Sequence, residues 1–174
     1  MCGIAGELSF NSNVDLLVLK KMTDALFHRG PDDDGLFCDG QIGLGHRRLS
    51  IIDLSENGRQ PMWTEDFSLG IIFNGEVYNH AEIRPELELE GYSFSGHSDT
   101  EVVLNAIHFW GLDKALHRFI GMFAFAVWNA HTKKLYLVRD RLGVKPLYYQ
   151  KTSDRLIFGS ELKALYAHPS FQRD

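Results

Sequence analysis

Cys2 stands directly after the initiator methionine and directly before Gly3. A thiol with an ordinary pKa near 8.5 is only about 3 per cent ionised at pH 7, so a nucleophilic cysteine needs a base. With Met1 removed, Cys2 becomes the first residue, and its own α-amine, with an ordinary pKa of about 7.7–8.0, can take the thiol proton. The plainer alternative is that Cys2 packs as a small hydrophobe, as free cysteines often do. Other chemistries have less to work with. Cys2 and Cys38 are too few for a disulfide framework and too far apart for a zinc ribbon. The eight histidines lack metal-ligand spacing, and lone residues such as His46 and His80 read as packed or capping side chains.

The elements around these residues follow from periodicity. Residues 2–10 read as a strand, and 16–26 carry apolar residues at helical spacing after a cap at Asn13 or Asp15. HRGPDDDG, residues 28–35, reads as a loop, followed by short strands at 41–46 and 49–52. SLGIIF, 68–73, is a buried strand ending at Asn74-Gly75, a pair that commonly marks a turn. Asn79 with Glu82, and Ser98 with Glu101, have the spacing of capping boxes opening two helices, with Asp99 in the first turn of the second. Strands at 122–128, 134–138, 147–150 and 156–158 read as an antiparallel meander, and a short helix at 161–167 follows. The run at 123–127 is apolar on both faces, which calls for a sheet covered on both sides.

The motifs MCGIAG, HRGPDDDG, HRRLSIIDLS, NGEVYNH, SDTE, GMFAFAVW, RDRLGVKPLYY and FGSELKAL, in this order from residue 2 to about 167, resemble the class II glutamine amidotransferase domain of asparagine synthetases. The resemblance implies an α+β fold of the N-terminal-nucleophile hydrolase type, a four-layer αββα sandwich of two antiparallel sheets between helices. It implies a single glutamine amidotransferase domain over 1–174, with the synthetase, ATP-binding domain absent from this chain. The reaction implied is attack of Cys2 on the side-chain amide of L-glutamine, giving a thioester and ammonia, then glutamate.

By the same resemblance, the oxyanion donors are the Asn74 side-chain amide and the Gly75 backbone N–H, and Arg48 grips the α-carboxylate of the substrate. Two parallel hydrogen bonds from a planar guanidinium suit that task, and lysine cannot copy them. Ile51 and Ile52 offer backbone contacts, while Glu76 and Asp99 lie around the α-amine. The residue types alone leave other readings open. Asn-Gly is a hairpin signal, Asp99 suits a helix N-terminus, and Glu76 reads as a solvated charge. Arg29 and Asp53 read as braces for the loops around the nucleophile. RDRLGVKPLYY is, by resemblance, turned toward the synthetase domain, where Tyr148 would border the path of ammonia.

Composition sets the outer limits. The chain has 174 residues, 44 per cent of them hydrophobic and 24 per cent charged, which is globular. Area scaling buries about 70 per cent of the unfolded surface, enough for one real core. No apolar stretch spans a bilayer, and the N-terminus lacks the pattern of a signal peptide, so a cytoplasmic protein is expected. The net charge of −5, with basic residues scattered, disfavours nucleic acid. No metal or cofactor is expected for the glutaminase reaction, ATP and Mg being needed only by the synthetase domain. That domain is the expected partner, in cis or in trans, and a homodimer is compatible. Two readings of other classes compete: a catalytically silent assembly domain, and an N-terminal-nucleophile amidase acting on another amide.

Overall fold

The computed structural model describes residues 1–50 and 55–172. Nine strands and five helices of the described residues follow in the order β1 (Gly3–Ser9), α1 (Leu16–Asp24), β2 (Asp33–Asp39), β3 (Ile42–Arg48), β4 (Met62–Trp63), β5 (Leu69–Val77), α2 (His80–Leu89), α3 (Asp99–Trp110), α4 (Leu112–Arg118), β6 (Gly121–Asn129), β7 (Lys134–Arg139), β8 (Tyr148–Lys151), β9 (Arg155–Gly159) and α5 (Leu162–Tyr166). They form two antiparallel sheets, one ordered β2-β3-β1-β9-β8 and the other β4-β5-β6-β7.

Three apolar clusters define the layers. Ile4, Ile42, Leu44 and Phe158 of the first sheet meet Ile72, Ala126 and Trp128 of the second, filling the space between them. Ala5 and Ile157 face the other way, onto Met22 and Leu26 from the α1 region and Ala164 and Leu165 of α5. Ile71, Phe73, Phe123 and Phe125 pack against Ile83 and Leu87 of α2, Val103 and Ile107 of α3, and Ala115 of α4. The result is the expected four-layer αββα sandwich, and it explains why 123–127 is apolar throughout: β6 is covered by a sheet on one side and helices on the other.

Several local expectations are corrected. The meander is divided: β6 and β7 pair in one sheet, β8 and β9 in the other. Side-chain alternation gives each strand a buried face, but it does not say which sheet owns it. Residues 33–35 are strand, because β2 pairs with β3 from Asp33↔Arg48 to Asp39↔Ile42. Ladder hydrogen bonds there outweigh the turn character of the acidic run. β3 continues to Arg48, Leu49 and Ser50 lie beyond it outside any strand, and Ile51 and Ile52 lie outside the described residues.

Asn74-Gly75 is no turn. β5 runs through it to Val77, with Asn74 opposite Ala124 and Gly75 opposite Phe123. A Cβ at position 75 would collide with the Met122 carbonyl oxygen and lie 2.6 Å from Phe123 Cα, so glycine here serves the close approach of β6. Asn79 precedes α2 without capping it. Its side chain donates to Arg118 O at 2.9 Å and accepts from Ile120 N at 3.0 Å, tying α2 to the segment that enters β6. Ser98 does cap α3, accepting from Glu101 N at 3.3 Å, and the Glu101 carboxylate accepts from Ser95 N and Gly96 N.

Candidate active site

Strand parity brings the nucleophile candidate and its neighbours together. Cys2, immediately before β1, shares the parity of Ile4, which points between the sheets. In β3, Arg48 shares that of Leu44, and in β5, Asn74 shares that of Ile72. All three therefore reach the inter-sheet layer at one end of the sandwich. The apolar filling stops there, and a cavity of about 220 Å³ opens. Cys2, Arg48, Asn74, Gly75, Glu76 and Asp99 all line it. Of the residues expected at the site, Ile51 and Ile52 fall outside the described residues and the rest converge.

Cys2 is held from both sides. Its Sγ lies 3.4 Å from Leu49 N, which donates to it, and 3.7 Å from Leu49 O. Its carbonyl oxygen accepts from Arg29 Nε at 2.9 Å. Arg29 in turn pairs with Glu161 at 2.9 Å, so the segment ahead of α5 anchors the start of β1. Burial pushes the Cys2 thiol above its ordinary pKa. The Leu49 amide, the chain's terminal ammonium and Arg48 pull down and Asp99 pushes up, with burial prevailing. The thiol needs help to ionise, as expected of a sulfur with a base beside it.

The open edge of β5 supplies donors. Phe73 N donates to Gln60 Oε1 at 2.6 Å and Val77 N to Asp99 Oδ2 at 2.9 Å. With a period of two, the Gly75 N–H lies between them on the same edge, facing the cavity. Beside it, the Asn74 side chain is 1 % exposed, and its Nδ2 has no hydrogen-bond partner among the described residues. An orphaned buried amide donor is costly, by about 1–3 kcal/mol. Such a group at a cavity wall points to an acceptor that is bound there in function.

The charged lining is arranged around these donors. Arg48, 7 % exposed, donates from Nη1 to Ser55 O at 2.8 Å. Gly58 makes room for it, since a Cβ there would lie 2.9 Å from the guanidinium carbon. Asp99 is 5 % exposed at the first turn of α3. Burial raises its carboxyl pKa, against the hydrogen bonds from Val77 N and Thr100 N. These two hydrogen bonds leave the Asp99 carboxyl oxygens with acceptor capacity for a cationic or N–H group in the cavity. His46 is fully enclosed, with Nε2 3.2 Å from Phe73 O. Burial holds its pKa down at about 4, so it packs as a neutral ring. Lys145 was not anticipated and also lines the cavity; its signal was a lone lysine in a turn motif, where side-chain direction is not legible.

Among the described residues, no group of three or more His, Cys, Asp or Glu is placed to hold a metal ion, and no helix is long and apolar enough to cross a membrane.

Comparison with known proteins agrees with this geometry. The glutamine amidotransferase domain family matches residues 1–174. Asparagine synthetase [glutamine-hydrolyzing] 1 of Bacillus subtilis is 46% identical over 170 residues, covering 95% of this chain and 26% of that protein. Amidase chyE of Penicillium rubens is 38% identical over 179 residues, covering 96% of this chain and 26% of that protein. The chain thus spans about a quarter of the length of these relatives. Among solved structures, glutamine phosphoribosylpyrophosphate amidotransferase from B. subtilis superposes with a TM-score of 0.81 at 20% identity, over 95% of this chain and 43% of that chain, which establishes a shared fold.

Proposed function

The chain belongs to the glutamine amidotransferase domain family, and from that premise we propose that residues 1–174 act as one glutaminase domain working through a Cys2 thioester. With Met1 removed, the Cys2 α-amine takes the proton from Sγ as sulfur attacks the glutamine side-chain carbonyl carbon. Charge moves onto the carbonyl oxygen, and the Asn74 Nδ2 and Gly75 N–H groups receive it. The protonated α-amine returns its proton to the departing nitrogen, which leaves as ammonia, and the carbonyl stays on sulfur as a thioester. Water then attacks that carbon, the thiol regains its proton, and glutamate is released.

The single observation that carries this reading is the unpartnered, buried Asn74 Nδ2 in the same cavity as the Cys2 thiol. A preorganised donor of this kind is worth about 100- to 1,000-fold in rate. Arg48 provides a cation for the α-carboxylate, and Asp99 with Glu76 provides acceptors for the α-ammonium. None of these steps calls for a metal or cofactor.

The ammonia is destined, on this reading, for an ATP- and Mg-dependent amidation of the asparagine synthetase type, carried out by a synthetase domain in cis or in trans. The sequence identity to asparagine synthetases supports it. A cytoplasmic setting, an absence of nucleic-acid partners and compatibility with a homodimer complete the proposal.

The test is glutamate release from glutamine, with and without prior alkylation by an electrophilic glutamine analogue, followed by peptide mass mapping. Turnover lost in step with modification of Cys2 supports the reading. Turnover that persists with Cys2 fully alkylated refutes it. A chain that binds glutamine without hydrolysing it is an assembly domain, and one that hydrolyses other primary amides equally well is an amidase of different specificity.

A further inference from the structure

Lys145 is the charged side chain lining this cavity, among the described residues, to which the proposed reaction gives no role. It sits in the turn between β7 and β8, 6 % exposed, and its backbone is fixed twice: its N–H donates to Asp140 Oδ2 at 2.9 Å and its carbonyl accepts from Arg139 Nε at 2.7 Å. The side chain is directed inward to the cavity lined by Cys2, Arg48 and Asp99. Its ammonium has one polar neighbour among the described residues, the Met1 thioether Sδ at 3.2 Å. A thioether is a weak acceptor and carries no charge. The nearby Asp140 carboxylate is occupied by the amides of Leu142, Val144 and Lys145.

A buried ammonium with no counter-ion among the described residues is expensive, so its retention points to a task. Met1 Sδ is five bonds from the Cys2 nitrogen, which limits their separation to about 6 Å. Added to the 3.2 Å contact, this puts Nζ within about 9 Å of the Cys2 nitrogen. Loss of Met1 removes the thioether that Nζ contacts and exposes the Cys2 amine at the same cavity.

We propose that Lys145 is a positioning residue that acts through the Cys2 α-amine, its ammonium disfavouring protonation of that amine so that the base is free at neutral pH. The proposal rests on the glutaminase reading above. At about 9 Å in a partly buried site, a like charge lowers a neighbouring amine by about one pH unit. The other charged groups around Cys2 are paired or differently engaged. Arg29, from the segment after α1, is neutralised by Glu161, which also meets His28 and Lys163. Arg48 at the end of β3 stands ready for a carboxylate, while Glu76 of β5 and Asp99 of α3 present the anionic side of the cavity. His46 on β3 is neutral. Among the described residues, Lys145 makes no ion pair with a carboxylate.

The experiment uses the chain with Met1 removed, verified by intact mass. The pH profile of kcat/KM for glutamine is measured for wild type, Lys145→Met and Lys145→Arg. Lys145→Met keeps the stem volume, and its acid limb should move up by about one pH unit, with Lys145→Arg returning it toward wild type. A uniform fall in kcat/KM with the limb unmoved assigns Lys145 to structure, and a raised KM with the limb unmoved assigns it to substrate contact; either overturns the proposal. A wild-type measurement needs no variant: acetylation of the Cys2 α-amine as a function of pH, read by peptide mass, should titrate below the ordinary α-amine range, and a midpoint at or above about 7.7 also overturns it. Should Cys2 resist the glutamine-analogue electrophile altogether, the glutaminase reading itself has failed, which is a separate result.

Discussion

Arg29 Nε donates to the carbonyl oxygen of Cys2 at 2.9 Å while its Nη1 pairs with Glu161, so the first peptide of the nucleophile strand is fastened to the chain's C-terminal helix segment. Hydrogen bonds from Arg29, His28 and Lys163 outweigh the burial that pushes the Glu161 carboxyl up, and hold it at about 2. Glu161 is therefore ionised at neutral and mildly acidic pH. Arg29→Met should release the Cys2 backbone, lowering kcat by about 100-fold with a small change in KM, as expected when a reacting group is displaced by about 1 Å. A KM effect alone in steady-state kinetics would assign Arg29 to binding instead.

Cys2→Ala should abolish glutamine hydrolysis while leaving the thermal unfolding midpoint within a few degrees of wild type. The thiol lines the cavity and its hydrogen bonds are to the Leu49 backbone, so its removal takes away little of the core. Turnover near wild type would dismiss the nucleophile assignment.

Arg48→Lys should raise KM for glutamine by about 10-fold, because one point charge replaces two parallel hydrogen bonds. Gly58→Ala offers a second check, since its Cβ would press on the Arg48 guanidinium from the cavity wall. It should raise KM in the same direction. Unchanged KM in both variants would remove the carboxylate clamp.

Gly75→Ala should destabilise the fold by about 1–3 kcal/mol, because the added carbon meets the β6 backbone at Met122 and Phe123. Urea midpoints measure this, and a neutral result would mean that β5 and β6 separate more easily than their ladder suggests.

Stability should fall in mild acid through His46. Its folded pKa of about 4 lies below the ordinary 6.5, so the unfolded chain binds the proton more readily between these values. The stabilisation is complete above pH 6.5 and is lost as pH falls toward 4, amounting to about 2 kcal/mol between pH 7 and pH 5. His46→Gln should flatten that part of the curve of urea stability against pH. A slope equal to wild type would assign the acid sensitivity to other groups.

Much of this architecture was legible from the sequence because apolar alternation and capping residues act locally. The cap of α1, read at Asn13 or Asp15, falls at Asp15, and the Ser98 cap of α3 is present as read; both are local chemistry. The failures were non-local. Asn74-Gly75 favours a turn only until β6 arrives to pair with it, and Asn79 would cap α2 if the segment before β6 did not compete for its side chain. The membership of β8 and β9 in the first sheet depends on β1 lying beside β9, a contact between opposite ends of the chain. At the site, the resemblance named Cys2, Arg48, Asn74 and Asp99. Lys145 escaped because the direction of a lone side chain in a turn is set by tertiary structure.

The two sheets divide the reaction between them. Cys2 and Arg48 ride on one and Asn74 and Gly75 on the other, with Ile4, Leu44, Ile72 and Phe158 stacked in the gap. The thickness of that greasy filling is therefore a gauge block for catalysis: it fixes how far the attacking sulfur stands from the donors that must catch the developing charge. Trimming a methylene from it should alter reactivity at a distance, so the interior of this protein serves as an instrument of alignment as well as a source of cohesion.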